Sequence, residues 1–375
     1  LITGTIGTGK TSSAMYPFTE QLMKYNSLHI NNKLGILILD VKGNYIYQVE
    51  NYAKLYNREK DIIPIQISGE FNYNPLDNIA LKPTVLANRL KTILLLFSPN
   101  NTESYWIDKS ETVLAEAIKL CRLYNNGYVT FKEIHNLITN HDYYSEKINT
   151  LRNKFLKHKF NSDQSYDLLS ALNFFEKEFY FLDSRTFNIL KSEITRITSC
   201  FVSDSDVLKT FCPEKSKNNF PGFQSIIESG KIVILNMNIN EYKNLSKIIA
   251  TYLKLDFQTE VLRRLATNST NIHPVAFISD EYSEYVSATD ANFFSQSRES
   301  KCINIVSTQS YTSLLNALNN KYSVEVIVQN LVNKLWFRSD DMFTIEDAQK
   351  QLRKNRCRKN FKNHIRKCKG DILQL

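Results

Sequence analysis

Apolar runs of strand length alternate with amphipathic stretches over much of this chain. Residues 34–39 are continuously apolar and end at Asp40, a pattern typical of a strand buried on both faces in a parallel sheet. Comparable runs predict further strands, which are 62–67, 231–235, 274–279, 302–308 and 334–338. A helical pattern over 241–265 separates two of these strands. The alternation predicts an α/β fold with a mostly parallel sheet.

The middle of the chain has a different pattern. Residues 82–222 are rich in helix formers, aromatic residues and charges, and contain few strand-like runs. One face of a predicted core helix repeats apolar residues at helical spacing, which are Leu114, Ala117, Ile118 and Cys121. Pro221 and Gly222 then interrupt the helical pattern. We therefore predict an α/β domain in two parts, 1–81 and 223–350, an all-helical insertion domain at 82–222, and a basic C-terminal segment at 351–375.

Charge is concentrated at one end of the chain. The net charge is +9, and the last 25 residues hold nine Lys or Arg against one acid, which leaves +1 for the other 350 residues. A basic tail suits nucleic acid or an anionic membrane surface, and a solvated helical face is the equally open alternative. The six cysteines form no C-x-x-C pair, so reduced thiols and no structural metal are expected.

Residues 4–11 match the phosphate-binding loop pattern G-x-x-x-x-G-K-[ST] at every fixed position. We expect backbone N–H groups to surround the phosphates, Lys10 to reach the β- and γ-phosphates, and the Thr11 hydroxyl to bind Mg²⁺. A helix from Ser12 onward would direct its positive end at the same phosphates. The candidate nucleotide-binding residues are Gly4, Thr5, Ile6, Gly7, Thr8, Gly9, Lys10, Thr11 and Ser12. The alternative is a glycine turn before an ordinary helix.

Two adjacent acids follow one of the predicted strands. Asp280 and Glu281 come directly after the apolar run that begins at Pro274, at the edge where parallel sheets carry their sites. We expect Asp280 to hold Mg²⁺ through water and Glu281 to polarise the attacking water. Alone, such a pair could mark only a turn at the end of a strand. Together with an intact phosphate-binding loop, it predicts nucleotide hydrolysis.

Two further residues are catalytic candidates. Gln309 ends the next predicted strand, where it could report the γ-phosphate or serve only as a strand-end amide. Arg298 could act as an arginine finger toward a neighbouring subunit and stabilise charge in the transition state. The alternative for Arg298 is an exposed side chain paired with Glu299.

Taken in order, these blocks resemble the type IV coupling proteins of conjugation and type IV secretion, the TraG/TraD-like family of RecA-fold DNA-translocating ATPases. The similar blocks are the loop at 4–11, the stretch at 39–44, the turn at 74–77, Trp106 with its following helix, Gly230 with Lys231, Asp280 with Glu281, Arg298, and Thr308 with Gln309. The chain departs from the family at Val41, where proline is usual, and at Asn44, where an acid is often found. Its tail is also more basic than the resemblance leads us to expect.

The resemblance implies a RecA-like P-loop NTPase core with an all-helical insertion domain, and ATP with Mg²⁺ as its ligands. It implies a homo-hexameric ring at the cytoplasmic face of a bacterial inner membrane, with Arg298 acting across each subunit interface. The ring would pump DNA or a nucleoprotein into the channel, with a relaxase or secreted protein and type IV secretion channel components as partners. The chain has no initiator Met and starts three residues before the loop, so the family's membrane anchor is expected upstream.

Two alternative functions stay open at this stage. One is a soluble DNA motor of the HerA/FtsK class, which would lack two upstream apolar runs of about twenty residues. The other is a nucleotide-switched receptor for relaxase or effector proteins with little motor activity, or a decayed gene fragment. Intact Lys10, Asp280 and Glu281 argue against decay. The preference for ATP over GTP rests on the resemblance alone.

Overall fold

A parallel sheet organises the molecule in the computed structural model, which describes residues 1–29, 32–97, 104–157, 159–266 and 273–352. The described strands are β1 (Ile2–Thr3), β2 (Gly35–Leu39), β3 (Ile62–Ile65), β4 (Ile232–Leu235), β5 (Val275–Ser279), β6 (Cys302–Thr308) and β7 (Leu335–Trp336). Their order across the sheet is β3-β4-β2-β5-β6-β1-β7, and every pair is parallel. The predicted α/β fold is confirmed, and these seven strands are parallel throughout.

Helices occupy most of the remaining described chain. They are α1 (Tyr16–Lys24), α2 (Tyr45–Leu55), α3 (Pro83–Leu96), α4 (Ser104–Tyr124), α5 (Phe131–Thr139), α6 (His141–Leu156), α7 (Ser162–Lys177), α8 (Ser184–Val202), α9 (Ser205–Phe211), α10 (Gly222–Ser229), α11 (Ile239–Ala266), α12 (Asp290–Gln296), α13 (Tyr311–Leu318), α14 (Lys321–Asn330) and α15 (Met342–Leu352). None of the described helices is both long and apolar enough to cross a bilayer.

The central strands are buried on both faces, as their continuous apolar composition predicts. Ile36 and Ile38 of β2 point to one face, where they join a cluster with buried residues of α1 and α2. Leu37 and Leu39 point to the other face and join the larger cluster, which includes buried residues of α3, α10 and α11. The sheet is therefore the middle layer between two layers of helices.

Eight described helices, α3 to α10, lie between β3 and β4 in the chain. Their buried side chains belong to the same apolar cluster as one face of the sheet. Arg89 of α3 pairs with Asp256 of α11, and the Tyr73 hydroxyl donates to the same carboxylate at 2.8 Å. These contacts join the helical region to the sheet domain. The domain boundaries at 81/82 and 222/223 stay a prediction, and the tail beyond 352 lies outside the described residues.

Candidate nucleotide-binding site

The loop after β1 has the geometry that a phosphate-binding loop requires. Gly7 and Gly9 adopt φ angles of 80° and 88°, which are costly for residues with a Cβ. The Lys10 side chain folds back into the loop, and its Nζ donates to the carbonyl oxygens of Gly4 at 2.6 Å and Thr5 at 3.2 Å. Lys10 is only 6% exposed. Its ammonium group is therefore held inside the curve of the loop.

The other loop residues shape and close this curve. The Thr8 hydroxyl donates to the Thr5 carbonyl at 2.8 Å, and the Ser12 hydroxyl donates to the Gly9 carbonyl at 3.3 Å. Ile6 lies at the tip and is 79% exposed. A wide first turn over Thr11–Met15 leads directly into α1. The start of this helix is thus aimed at the loop, where its free N–H groups favour an anion.

The sheet order brings the two halves of the predicted site together. β6 lies between β1 and β5, so the loop and the end of β5 are two strand spacings apart, about 10 Å. The Thr11 hydroxyl bridges this gap and donates to Asp280 Oδ2 at 2.9 Å. Asp280 is 2% exposed, and its other carboxylate oxygen accepts a hydrogen bond from the Ser307 hydroxyl of β6. Two segments, the loop and β6, therefore converge on the Asp280 carboxylate.

Glu281 lies beside Asp280 with a left-handed backbone, φ 50° and ψ 51°. Its carboxylate accepts a long hydrogen bond of 3.4 Å from the Gln309 side-chain amide. Burial, followed by the Asp280 charge, raises the pKa of Glu281, while Lys10 and Lys42 act in the opposite direction. A carboxylate made more basic in this way is suited to orient water and accept its proton.

Two contributors at this edge were not assigned chemistry from the sequence. Ser307 is the hydroxyl partner of Asp280, and the polar end of β6 was the signal that could have found it. The Asp40 carboxylate after β2 is buried and accepts backbone N–H groups of Lys42, Asn44 and Tyr45. Asp40 therefore shapes the loop that carries Lys42 toward Glu281. The sequence alone does not indicate this role, because it depends on how the backbone turns after β2.

Arg298 is the one predicted site residue that the fold places away from the others. It precedes the start of β6, whereas the loop, Asp280 and Gln309 lie where the strands end, on the opposite side of the sheet along the strand direction. The seven residues of β6 separate these edges by about 20 Å. The Arg298 side chain is exposed and forms no ion pair with a described residue, Glu299 included. A role across a subunit interface stays a prediction.

The donor set fits Mg²⁺ with a nucleotide. Thr11 and Asp280 supply two hard oxygen ligands of the kind that Mg²⁺ prefers, and Lys10 supplies a cation for phosphates. Among the described residues there is no group of three or more His, Cys, Asp or Glu that could hold a metal ion. An ion at this site would be held by one carboxylate, one hydroxyl and the phosphates of a substrate.

Solved structures of other proteins share the α/β fold with its parallel sheet. The plasmid coupling protein TrwB, in complex with a non-hydrolysable GTP analogue, has a similar fold, with a TM-score of 0.59 at 13% identity. The match covers 94% of this chain and 73% of that chain. TrwB with ADP and Mg²⁺ matches over the same shares, with a TM-score of 0.58 at 13% identity.

A second protein has a similar fold. VirB4 of Thermoanaerobacter pseudethanolicus matches with a TM-score of 0.54 at 14% identity, covering 94% of this chain and 80% of that chain. No protein-family model and no curated protein sequence matches the chain. At identities of 13% and 14% these likenesses show the fold alone. The comparisons therefore support the expected fold, and membership of the expected family stays a prediction.

Proposed function

We propose that this chain is an ATP-hydrolysing P-loop enzyme that drives DNA or a nucleoprotein through a type IV secretion or conjugation channel. The observation that carries the catalytic part is the 2.9 Å hydrogen bond between Thr11 and Asp280, which are 269 residues apart in the chain. It joins the phosphate-binding loop to the carboxylate that hydrolysis requires. The secretion part rests on the fold shared with the coupling protein TrwB.

Each residue of the site has a defined task in this proposal. Lys10 and the loop N–H groups bind and orient the β- and γ-phosphates. Thr11 and Asp280 would hold Mg²⁺, which neutralises phosphate charge when it is bound. Glu281 orients the attacking water and accepts its proton, and Gln309 holds the Glu281 carboxylate in position.

The second part of the proposal concerns assembly and transport. A homo-hexamer would place Arg298 of one subunit toward the nucleotide of the next, since Arg298 lies far from its own site. DNA would pass through the ring at the cytoplasmic face of a bacterial inner membrane. A relaxase or secreted protein would be delivered to channel components through the helical region.

The test is steady-state ATP hydrolysis by the purified chain over a range of protein concentrations, with and without single- or double-stranded DNA. We expect turnover that DNA stimulates, that rises cooperatively with concentration, and that Lys10→Ala abolishes. Lys24→Ala, an exposed lysine on α1, is the matched control and should behave as wild type. Unchanged turnover in Lys10→Ala would refute the site assignment. Nucleotide binding without DNA-stimulated turnover would refute the motor and favour a nucleotide-switched receptor.

A further inference from the structure

A fully buried ammonium group lies behind the candidate site. Lys254 of α11 is 0% exposed, and its Nζ donates to the Tyr285 carbonyl at 2.5 Å, Ser287 Oγ at 2.9 Å and Asp290 Oδ2 at 2.6 Å. These three partners use all three of its N–H groups. Every acceptor belongs to the short segment that follows Glu281. One helix side chain therefore fixes this segment at several points.

The Asp290 carboxylate is the centre of the network. It is also 0% exposed, and besides Lys254 its Oδ2 accepts from the Tyr282 hydroxyl at 2.6 Å and from the Ser287 backbone N–H at 3.0 Å. Its Oδ1 accepts from the Gln258 amide at 2.9 Å. Several charge-assisted hydrogen bonds in a dry interior define one rigid arrangement of the groups that make them.

This network anchors Tyr282, the residue that follows Glu281. Glu281 has a left-handed backbone, a conformation that non-glycine residues hold only when their surroundings enforce it. On one side, the Asp280 N–H donates to the Leu39 carbonyl at 3.0 Å. On the other side, Tyr282 is 0% exposed and is held by its hydroxyl on Asp290. The backbone of Glu281 is thus fixed between two anchored neighbours.

The same segment also reaches the loop after β2. The Tyr285 hydroxyl donates to the Asp40 carbonyl at 3.1 Å, while the Tyr285 carbonyl accepts from Lys254. Asp40 in turn orders the loop that carries Lys42. The network therefore connects two of the strand ends that form the site.

We infer that Lys254, Asp290 and Tyr282 form a positioning unit that fixes the direction of the Glu281 carboxylate for hydrolysis. This inference rests on the proposed function. Stability alone gives a weak reason for the network, because well-packed apolar residues often replace a buried ion pair without loss. Its attachment to the segment that follows Glu281 supplies the functional reason. None of the three residues touches the reacting groups, so each acts through Glu281.

The test compares two conservative variants of similar chemistry. Tyr282→Phe removes the hydroxyl bond to Asp290. Tyr73→Phe removes a 2.8 Å hydroxyl bond to Asp256, a carboxylate on α11, the helix that carries Lys254, and this carboxylate is paired with Arg89. Both tyrosines are at most 2% exposed, but Tyr73 lies on the side of the helical region. The measurements are kcat for ATP hydrolysis, the Kd of a fluorescent ADP analogue, and the thermal midpoint.

We expect both variants to lower the thermal midpoint by similar amounts. Tyr282→Phe should lower kcat by about tenfold to a hundredfold, the range for a misplaced catalytic group, with Kd unchanged. Tyr73→Phe should keep both kcat and Kd. An unchanged kcat in Tyr282→Phe, or equal losses of kcat in the two variants, would overturn the inference alone. No hydrolysis by the wild-type chain would overturn the proposed function, and the inference with it.

Discussion

Glu281→Gln separates the binding of nucleotide from its hydrolysis. The amide keeps the volume of the side chain but cannot accept a proton. General-base catalysis contributes about 10²–10⁴-fold, so kcat should fall by that factor, or about 2.7–5.5 kcal/mol in activation free energy. The bond from Gln309 is 3.4 Å long, so its loss should cost less than about 1 kcal/mol of folding stability. Removing a negative charge beside the phosphates should leave nucleotide affinity unchanged or higher.

The assay for Glu281→Gln is steady-state phosphate release, with the Kd of a fluorescent ADP analogue and a thermal melt on the same samples. Glu284→Gln is the matched control, because Glu284 lies in the same segment and makes a half-exposed ion pair with Lys247 at 2.6 Å. Such a pair contributes at most about 1 kcal/mol to stability. Hydrolysis by Glu281→Gln within about threefold of wild type would refute the role of Glu281, since that is under 1 kcal/mol of barrier. Equal losses in both variants would refute it too.

Two further predictions concern the metal and the fold. Thr11→Val removes the hydroxyl that bonds to Asp280, so nucleotide affinity should lose most of its dependence on Mg²⁺ while affinity in EDTA is retained. Nucleotide titrations with Mg²⁺ and with EDTA test this. An unchanged Mg²⁺ dependence would count against the assignment of Thr11. Arg58→Met should destabilise the chain by about 3 kcal/mol in urea unfolding, because Arg58 is 0% exposed and donates to the buried carbonyls of Leu34 and Gly230, which would lose their donor, while Asp61 keeps its pair with Lys33. Lys54→Met, exposed on α2, is the control, and an equal effect there would contradict the argument.

Features that depend on contiguous residues could be predicted from the sequence. The phosphate-binding loop follows from its glycine spacing and Lys10, because the required backbone angles are set locally. Continuous apolar runs predicted β2, β4 and β5 close to their observed bounds, since both faces of a central parallel strand are buried, and the mixed run at 302–308 predicted β6. β1 was not predicted as a strand, because two residues carry no periodicity. The predicted strand at 334–338 is limited to Leu335–Trp336.

The neighbours of each strand were decided by the tertiary structure. The order of β5, β6 and β1 places the hydroxyls of Ser307 and Thr11 on the two oxygens of Asp280. These hydrogen-bond partners are far apart in the chain, so no local sequence pattern indicates the contact. The direction of β6, parallel to its neighbours, places Arg298 at the end of the strands opposite the site. Parallel strands all end at one edge, so a residue before β6 and a residue after it are separated by the length of the strand.

The network behind Glu281 was also invisible in the sequence. A lysine in a long helix and an aspartate at a helix start are typical of solvated surfaces, so nothing local marks Lys254 and Asp290 as buried. Their burial depends on the packing of α11 and α12 around the end of β5. The sequence by itself determined which chemical groups the site contains and which segments are strands. Tertiary packing decided which groups meet and how firmly each is held, because those contacts join residues that are distant along the chain.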